Sequence, residues 1–248
     1  MRKEQKLFVI LSGIFIANTL IAEFIGVKIF SLQEWLSISN FNFHLFGMKM
    51  GLDFTAGVLI WPVVFILTDI INDYFGVKGV RFITFLSVGI IIYAFLAVNF
   101  AINAPAAGWW LDINKQNYQI DAQQSFAFIF GQGQNIIIGS LVAFALGQIL
   151  DAYIFKSIKK TNRGGQLWFR ATVSTLISQF FDSFVVIFIA FKIGQNWTWE
   201  QTISVSINNY LYKGILAIIS IPLLILIHKL IQSYLGNEVS DKLRKNNL

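Results

Sequence analysis

The chain has 248 residues, 56% of them hydrophobic and 16% aromatic, with a mean hydropathy of +0.64. Only 13% are charged, about half the ~25% usual in soluble domains, which excludes an ordinary water-soluble domain and points to an integral membrane protein. The net charge of +6 comes without cysteine, so disulfides and thiolate metal sites are excluded. The basic residues sit in short clusters between apolar runs, a pattern of membrane topology rather than of nucleic-acid binding.

No charged or Pro/Ser-rich linker divides the sequence, so residues 1–248 read as one domain. The opening MRKEQK precedes an apolar run from Leu7 to about Phe30. That run is longer than the ~7–15 residues of a signal-peptide core and reads as a retained first helix. A membrane helix needs about 20 mostly apolar residues, and six stretches qualify: 7–30, 53–75, 80–103, 126–155, 168–191 and 203–232. The expected fold is therefore an all-α, polytopic membrane protein with six transmembrane helices.

Each expected helix except the third carries a polar stripe. In the first, Ser12, Thr19 and Glu23 share a face, with Asn18 beside them. The segment that follows, FNFHLFGMKMG, is too short to span and is expected along the outer interface. In the second helix Asp69 and Asp73 stand one turn apart, with Thr68 and Asn72 parallel to them. The third is almost wholly apolar from Phe85 to Val98, which suits either lipid contact or a homodimer surface.

The fourth helix has Gln134 and Asn135 in its outer half and Gln148 and Asp151 further in. In the fifth, Thr175, Gln179 and Asp182 fall at i, i+4 and i+7, on one face. The sixth carries Ser206, Asn209 and Lys213, with Tyr212 nearby.

Loop charges set the orientation. Arg2, Lys3 and Lys6, then Lys78 and Arg81, then the cluster from Lys156 to Arg170, and finally Lys229 and Lys242 to Lys245 all fall on one side. The other side is poor in Lys and Arg, and Trp35, Trp109, Trp110, Trp197 and Trp199 lie in or beside its loops. The positive-inside rule puts both termini in the cytoplasm. Glu23, Asp182, Asn209 and Lys213 are then expected from mid-bilayer outward, and Asp69, Asp73, Gln148 and Asp151 toward the cytoplasm.

A charge at the centre of a membrane helix costs about 2.5–3.5 kcal/mol on insertion scales, so Asp182 and Asp69 read as lining a solute path. Blander readings stand beside this one. Asp73 and Asp151 could end at the cytoplasmic interface, Asn18, Ser174 and Ser206 could serve as packing glue between helices, and Lys213 could serve only to neutralise Asp182 or Glu23. His44 and His228 read as interfacial. No zinc-protease, nucleophile-elbow or phosphate-loop motif is present, so neither enzymatic activity nor a cofactor is expected.

The elements IFIANTLIAEF, LTDIINDYFG, SLVAFALGQILDAYIF, STLISQFFDSFVVIFIAF and NNYLYKGILAIISIPL resemble, in order, those of the queuosine precursor transporter family of bacterial inner-membrane proteins. The resemblance implies uptake of 7-cyano-7-deazaguanine, 7-aminomethyl-7-deazaguanine or queuine for tRNA modification. Together with the polar stripes, it makes Asn18, Glu23, Asp69, Gln148, Asp151, Gln179, Asp182, Asn209 and Lys213 the candidate substrate-binding set, within a chamber for a flat heterocycle. A carboxylate suits the N–H donors on a guanine-like edge, amides or Lys213 its carbonyl, and Phe181 or Tyr212 its faces. Two other classes stay open: a substrate-binding membrane subunit served by a separate ATPase, as in vitamin-uptake S-components, and an intramembrane enzyme or scaffold.

Overall fold

The computed structural model describes residues 1–26, 28–37, 43–45, 48–50, 53–131, 134–161, 167–193 and 196–246. The membrane portion is helical: α1 (Lys3–Ile25), α3 (Trp61–Asn103), α6 (Gln134–Thr161), α7 (Leu167–Ile187, continued by π-helical turns over Phe188–Ile193), α8 (Trp199–Ile219) and α9 (Ile221–Leu235). Shorter helices are α2 (Leu32–Trp35), α4 (Gly108–Tyr118), α5 (Ala122–Phe130) and α10 (Asn237–Asn246).

The fold is all-α in its membrane portion, as expected, with short strands in one connection between helices. Between α1 and α3 the chain forms short antiparallel strand pairs, β1 (Ile29–Ser31) with β4 (Asp53–Thr55) and β2 (Phe43–Leu45) with β3 (Met48–Met50). This connection holds most of FNFHLFGMKMG, including the backbone of His44.

Helices α1, α3 and α6 are each long and apolar enough to cross a membrane, and α8 with α9 qualifies as a bent pair. Polarity is inverted relative to a soluble protein. Asp69, Asp73, Asp151, Arg170 and a run of hydroxyls are buried, while Phe82, Phe85, Ile92, Tyr93, Leu96 and Phe100 lie exposed along α3. Buried charge around an apolar exterior is what a lipid solvent selects. Within the apolar stretch 85–98, Phe85, Leu86, Ile92, Tyr93 and Leu96 thus face outward, while Ser87 and Ile91 are buried and Val88 packs against the core.

The predicted loop at 76–79 is replaced by a kink. Helix α3 runs through 43 residues, and only Gly76 leaves helical geometry, at φ 68° and ψ −177°. That region is open essentially to glycine alone. An unbroken helix of this length would be about 64 Å long, roughly twice the ~30 Å hydrocarbon core, so Gly76 divides it into two pieces. The predicted fourth span also changes: its start belongs to α5, and α6 begins at Gln134. The sixth is broken at Ser220, where α8 and α9 meet at 45° and Pro222 cannot donate to the preceding turn.

Both termini meet at one end of the bundle. Lys3 Nζ donates to the Tyr234 carbonyl at 3.1 Å. Helix α10 folds back onto α3, with Ser240 Oγ 3.4 Å from Tyr74 Oη and Arg244 on Asp73.

Candidate functional site

Three polar levels run through the bundle, each assembled from several helices. At the first, Asp182 of α7 forms an ion pair with Lys213 of α8, and the ammonium lies 5.7 Å from the centre of the Trp61 ring. Gly147 on α6 lies against this carboxylate. A Cβ there would come within 3.3 Å of Asp182 Cβ and 3.4 Å of its Oδ1, so glycine lets α6 and α7 approach at the carboxylate. Glu23 of α1 accepts a bond of 2.5 Å from Ser140 Oγ and lies within electrostatic reach of Asp182.

The second level is deeper in the bundle. Gln148 Oε1 accepts from Thr68 Oγ1 at 2.6 Å. Asp151 Oδ1 accepts from Thr175 Oγ1 and Ser178 Oγ, each at 3.3 Å. Three acceptor atoms here are buried without a hydrogen-bond partner: Asp69 Oδ1, Asp151 Oδ2 and Gln179 Oε1. A buried polar atom left unpaired costs about 1–3 kcal/mol, so three at one level mark a place built to receive donors.

At the third level, Asp73 is wholly buried and binds three cations. Its Oδ1 meets Lys159 at 3.1 Å and Arg170 at 3.2 Å, and its Oδ2 meets Arg244 at 2.8 Å. Lys159 also donates to the Asp73 main-chain carbonyl at 3.0 Å, and the Arg170 guanidinium lies 5.3 Å from the Phe155 ring centre. Tyr74 and His228 close the layer at 3.3 Å. One carboxylate thus ties α3 to α6, α7 and α10.

The structure places Glu23, Asp182 and Lys213 at the first level and Asp69, Gln148, Asp151 and Gln179 at the second, and it buries Asp73 and Asp151 within the bundle. Asn18 is spent on its own helix, donating from Nδ2 to the Ile14 carbonyl at 2.7 Å. Asn209 is half-buried on α8, and its side chain makes no hydrogen bond to a described residue. The stacking role expected of Phe181 needs correcting: the ring is 51% exposed on the outer face of α7, one position from Asp182 and so turned by about 100°. Trp61 takes its place as the aromatic beside the charge pair.

The expected purine-sized chamber is also not formed beside Asp69, where the cavity measures about 10 Å³, room for roughly one water. Small residues allow this closure: Ala171 and Ala217 line the cavity. By sequence alone, Lys159, Arg170 and Arg244 belong with the loop charges. Only their common partner, Asp73, identifies them as interior residues. The side chains of Gln134 and Asn135 lie outside the described residues.

A family model described as "Putative vitamin uptake transporter" matches residues 55–227, a span that holds all three levels except Glu23, His228 and Arg244. The chain belongs to this transporter family. Among similar proteins is the "Probable queuosine precursor transporter" of Bacillus subtilis (strain 168), 29% identical over 197 residues, 77% of this chain and 80% of that one. The "Queuosine precursor transporter" of Escherichia coli (strain K12) is 26% identical over 195 residues, 75% of this chain and 80% of that one. No solved structure matches. The resemblance read from the sequence is thus borne out, and the chain is a multi-pass membrane transporter.

Proposed function

We propose that this transporter carries a 7-deazaguanine base (7-cyano-7-deazaguanine, 7-aminomethyl-7-deazaguanine or queuine) across the bacterial cytoplasmic membrane. The chain makes six crossings, counting the two parts of α3 separately, with both termini inside. The observation that carries the reading is the buried run of unpaired acceptors at Asp151 and Gln179 below the Asp182–Lys213 pair. A guanine-like edge presents adjacent N–H donors, which such acceptors match with charge-assisted bonds.

In this reading Asp182 takes the donor edge and Lys213 turns to the ring carbonyl. Glu23, Gln148, Asp151 and Gln179 complete the polar lining, and Trp61 or Tyr212 offers a ring face for stacking. Asn209 and Asn18 sit at the margin. The bundle is closed around these groups, so the base enters through a second conformation in which α7 and α8 separate from α6, as alternating access requires.

The test is uptake of radiolabelled 7-cyano-7-deazaguanine by the purified protein in liposomes. Saturable uptake that Asp182→Ala abolishes is the expected result, and a well-folded Asp182→Ala protein with normal uptake refutes the site. A second reading, a substrate-binding subunit driven by a separate ATPase, draws on the vitamin-uptake description of the family model. It predicts binding of the base with no uptake until that partner is added.

A further inference from the structure

The one-water cavity beside Asp69 is too small for a heterocycle, yet its walls are specialised. Besides Phe65, Ile66 and Leu224, it is lined by Asp69, Thr172, Thr175 and Ser220. Asp69 is 4% exposed and forms no ion pair, and its Oδ1 has no hydrogen-bond partner. Two of the three hydroxyls around it have already used their protons: Thr175 donates to Asp151 at 3.3 Å and Ser220 to the Leu216 carbonyl at 2.8 Å. A hydroxyl whose proton is committed can offer only lone pairs. The cavity therefore sets the Thr175 and Ser220 oxygens, as acceptors, beside the unpaired Asp69 Oδ1.

Backbone geometry adds to this. Ser220 stands at the α8–α9 break, and Pro222 deprives the Ile218 carbonyl of its usual i+4 donor. The C-terminal end of α8 carries the negative end of its helix dipole toward the break. Interrupted membrane helices use such carbonyl ends to hold Na⁺.

Charge and coordination favour a monovalent ion. Asp73 and Asp182 have cationic partners, whereas Asp69 and Asp151 have none among the described residues. Among the described residues no three His, Asp or Glu side chains converge as a multivalent metal would need, and Ca²⁺ takes about 6–8 oxygens.

We propose that Asp69, Thr172, Thr175 and Ser220 form a Na⁺ site at the α8–α9 break, and that Na⁺ entry is coupled to movement of the base. The site joins α3, α7, α8 and α9, so an ion bound there holds together helices that must part for the substrate. Coupling rests on the transport reading above; the ion site itself does not.

The test is ²²Na⁺ binding to the purified full chain in nanodiscs, with choline and K⁺ as competitors, together with 7-cyano-7-deazaguanine binding and liposome uptake. Saturable ²²Na⁺ binding is expected, displaced poorly by K⁺, lost in Asp69→Asn and weakened about tenfold in Ser220→Ala. The Ser220 variant keeps the test decisive where the Asp69 variant does not fold. An inward Na⁺ gradient is expected to accelerate uptake, with a pH gradient at equal Na⁺ having no effect. Absence of saturable ²²Na⁺ binding, or binding indifferent to both substitutions, overturns the ion site even where the base still binds. Uptake driven by the pH gradient alone overturns the coupling in favour of protons. ²²Na⁺ binding without any binding of the base sustains the ion site and removes the deazaguanine reading instead.

Discussion

Replacing Asp73 with Asn tests the cation cluster most directly. The carboxylate is 0% exposed, and Lys159 and Arg170 are nearly as buried, at 5% and 1% of their side-chain surface. Neither can reach water when its partner is neutralised. Removing one member of a buried ion pair costs about 3–5 kcal/mol because the other charge is left uncompensated. Arg244 differs: at 27% exposure it can swing outward, and Arg244→Ala is expected to cost about 1 kcal/mol. For a chain of this size those figures correspond to roughly 10 °C and a few degrees of melting temperature, measurable by thermal unfolding of the purified protein in detergent. Adding Arg170→Gln to Asp73→Asn removes one stranded charge and is expected to recover part of the loss. Equal shifts for Asp73→Asn and Arg244→Ala, or no recovery in the double variant, would refute the argument that buried charge dominates here.

Asp182→Asn and Lys213→Gln should be non-additive, with a coupling of about 1–3 kcal/mol in a double-mutant thermal cycle; strictly additive losses would mean the two side chains act independently. Gly147→Leu should separate α6 from α7 at Asp182, costing about 1–3 kcal/mol from overpacking and most of the uptake, while Gly147→Ala is milder because a lone Cβ, though tight against Asp182 at 3.3 Å, asks for only a small shift. Gly76→Ala forces a side chain into a region reserved for glycine and should lower stability by about 1–3 kcal/mol; an unchanged melting curve would show that the α3 kink tolerates another geometry. Phe181→Ala should leave uptake intact, since the ring faces outward, and a large loss would restore it to the site.

Much of this molecule was legible in its residues because bilayer energetics act locally. Low charge, long apolar runs and clustered Lys and Arg specify a multi-pass membrane protein whatever the packing, since each helix must satisfy its own backbone in lipid. Helical periodicity likewise placed Thr175, Gln179 and Asp182 on one face, and the structure turns that face inward. The strand pairs between α1 and α3 were not legible: Phe43–Leu45 meets Met48–Met50, and Ile29–Ser31 meets Asp53–Thr55, only once the chain has folded back.

Pairing was decided by tertiary structure alone. Arg170, Lys159 and Arg244 look like loop charges one at a time, and their roles appear only where α6, α7 and α10 converge on Asp73. Phe181, beside Asp182 in sequence, is turned by about 100° away from it, whereas Trp61, far away in sequence, comes to rest beside Lys213. Periodicity determines which side of a helix is polar, since it depends on one segment's own geometry. Which acid meets which base depends on how separate helices pack, and that information is shared among segments and written in none of them singly.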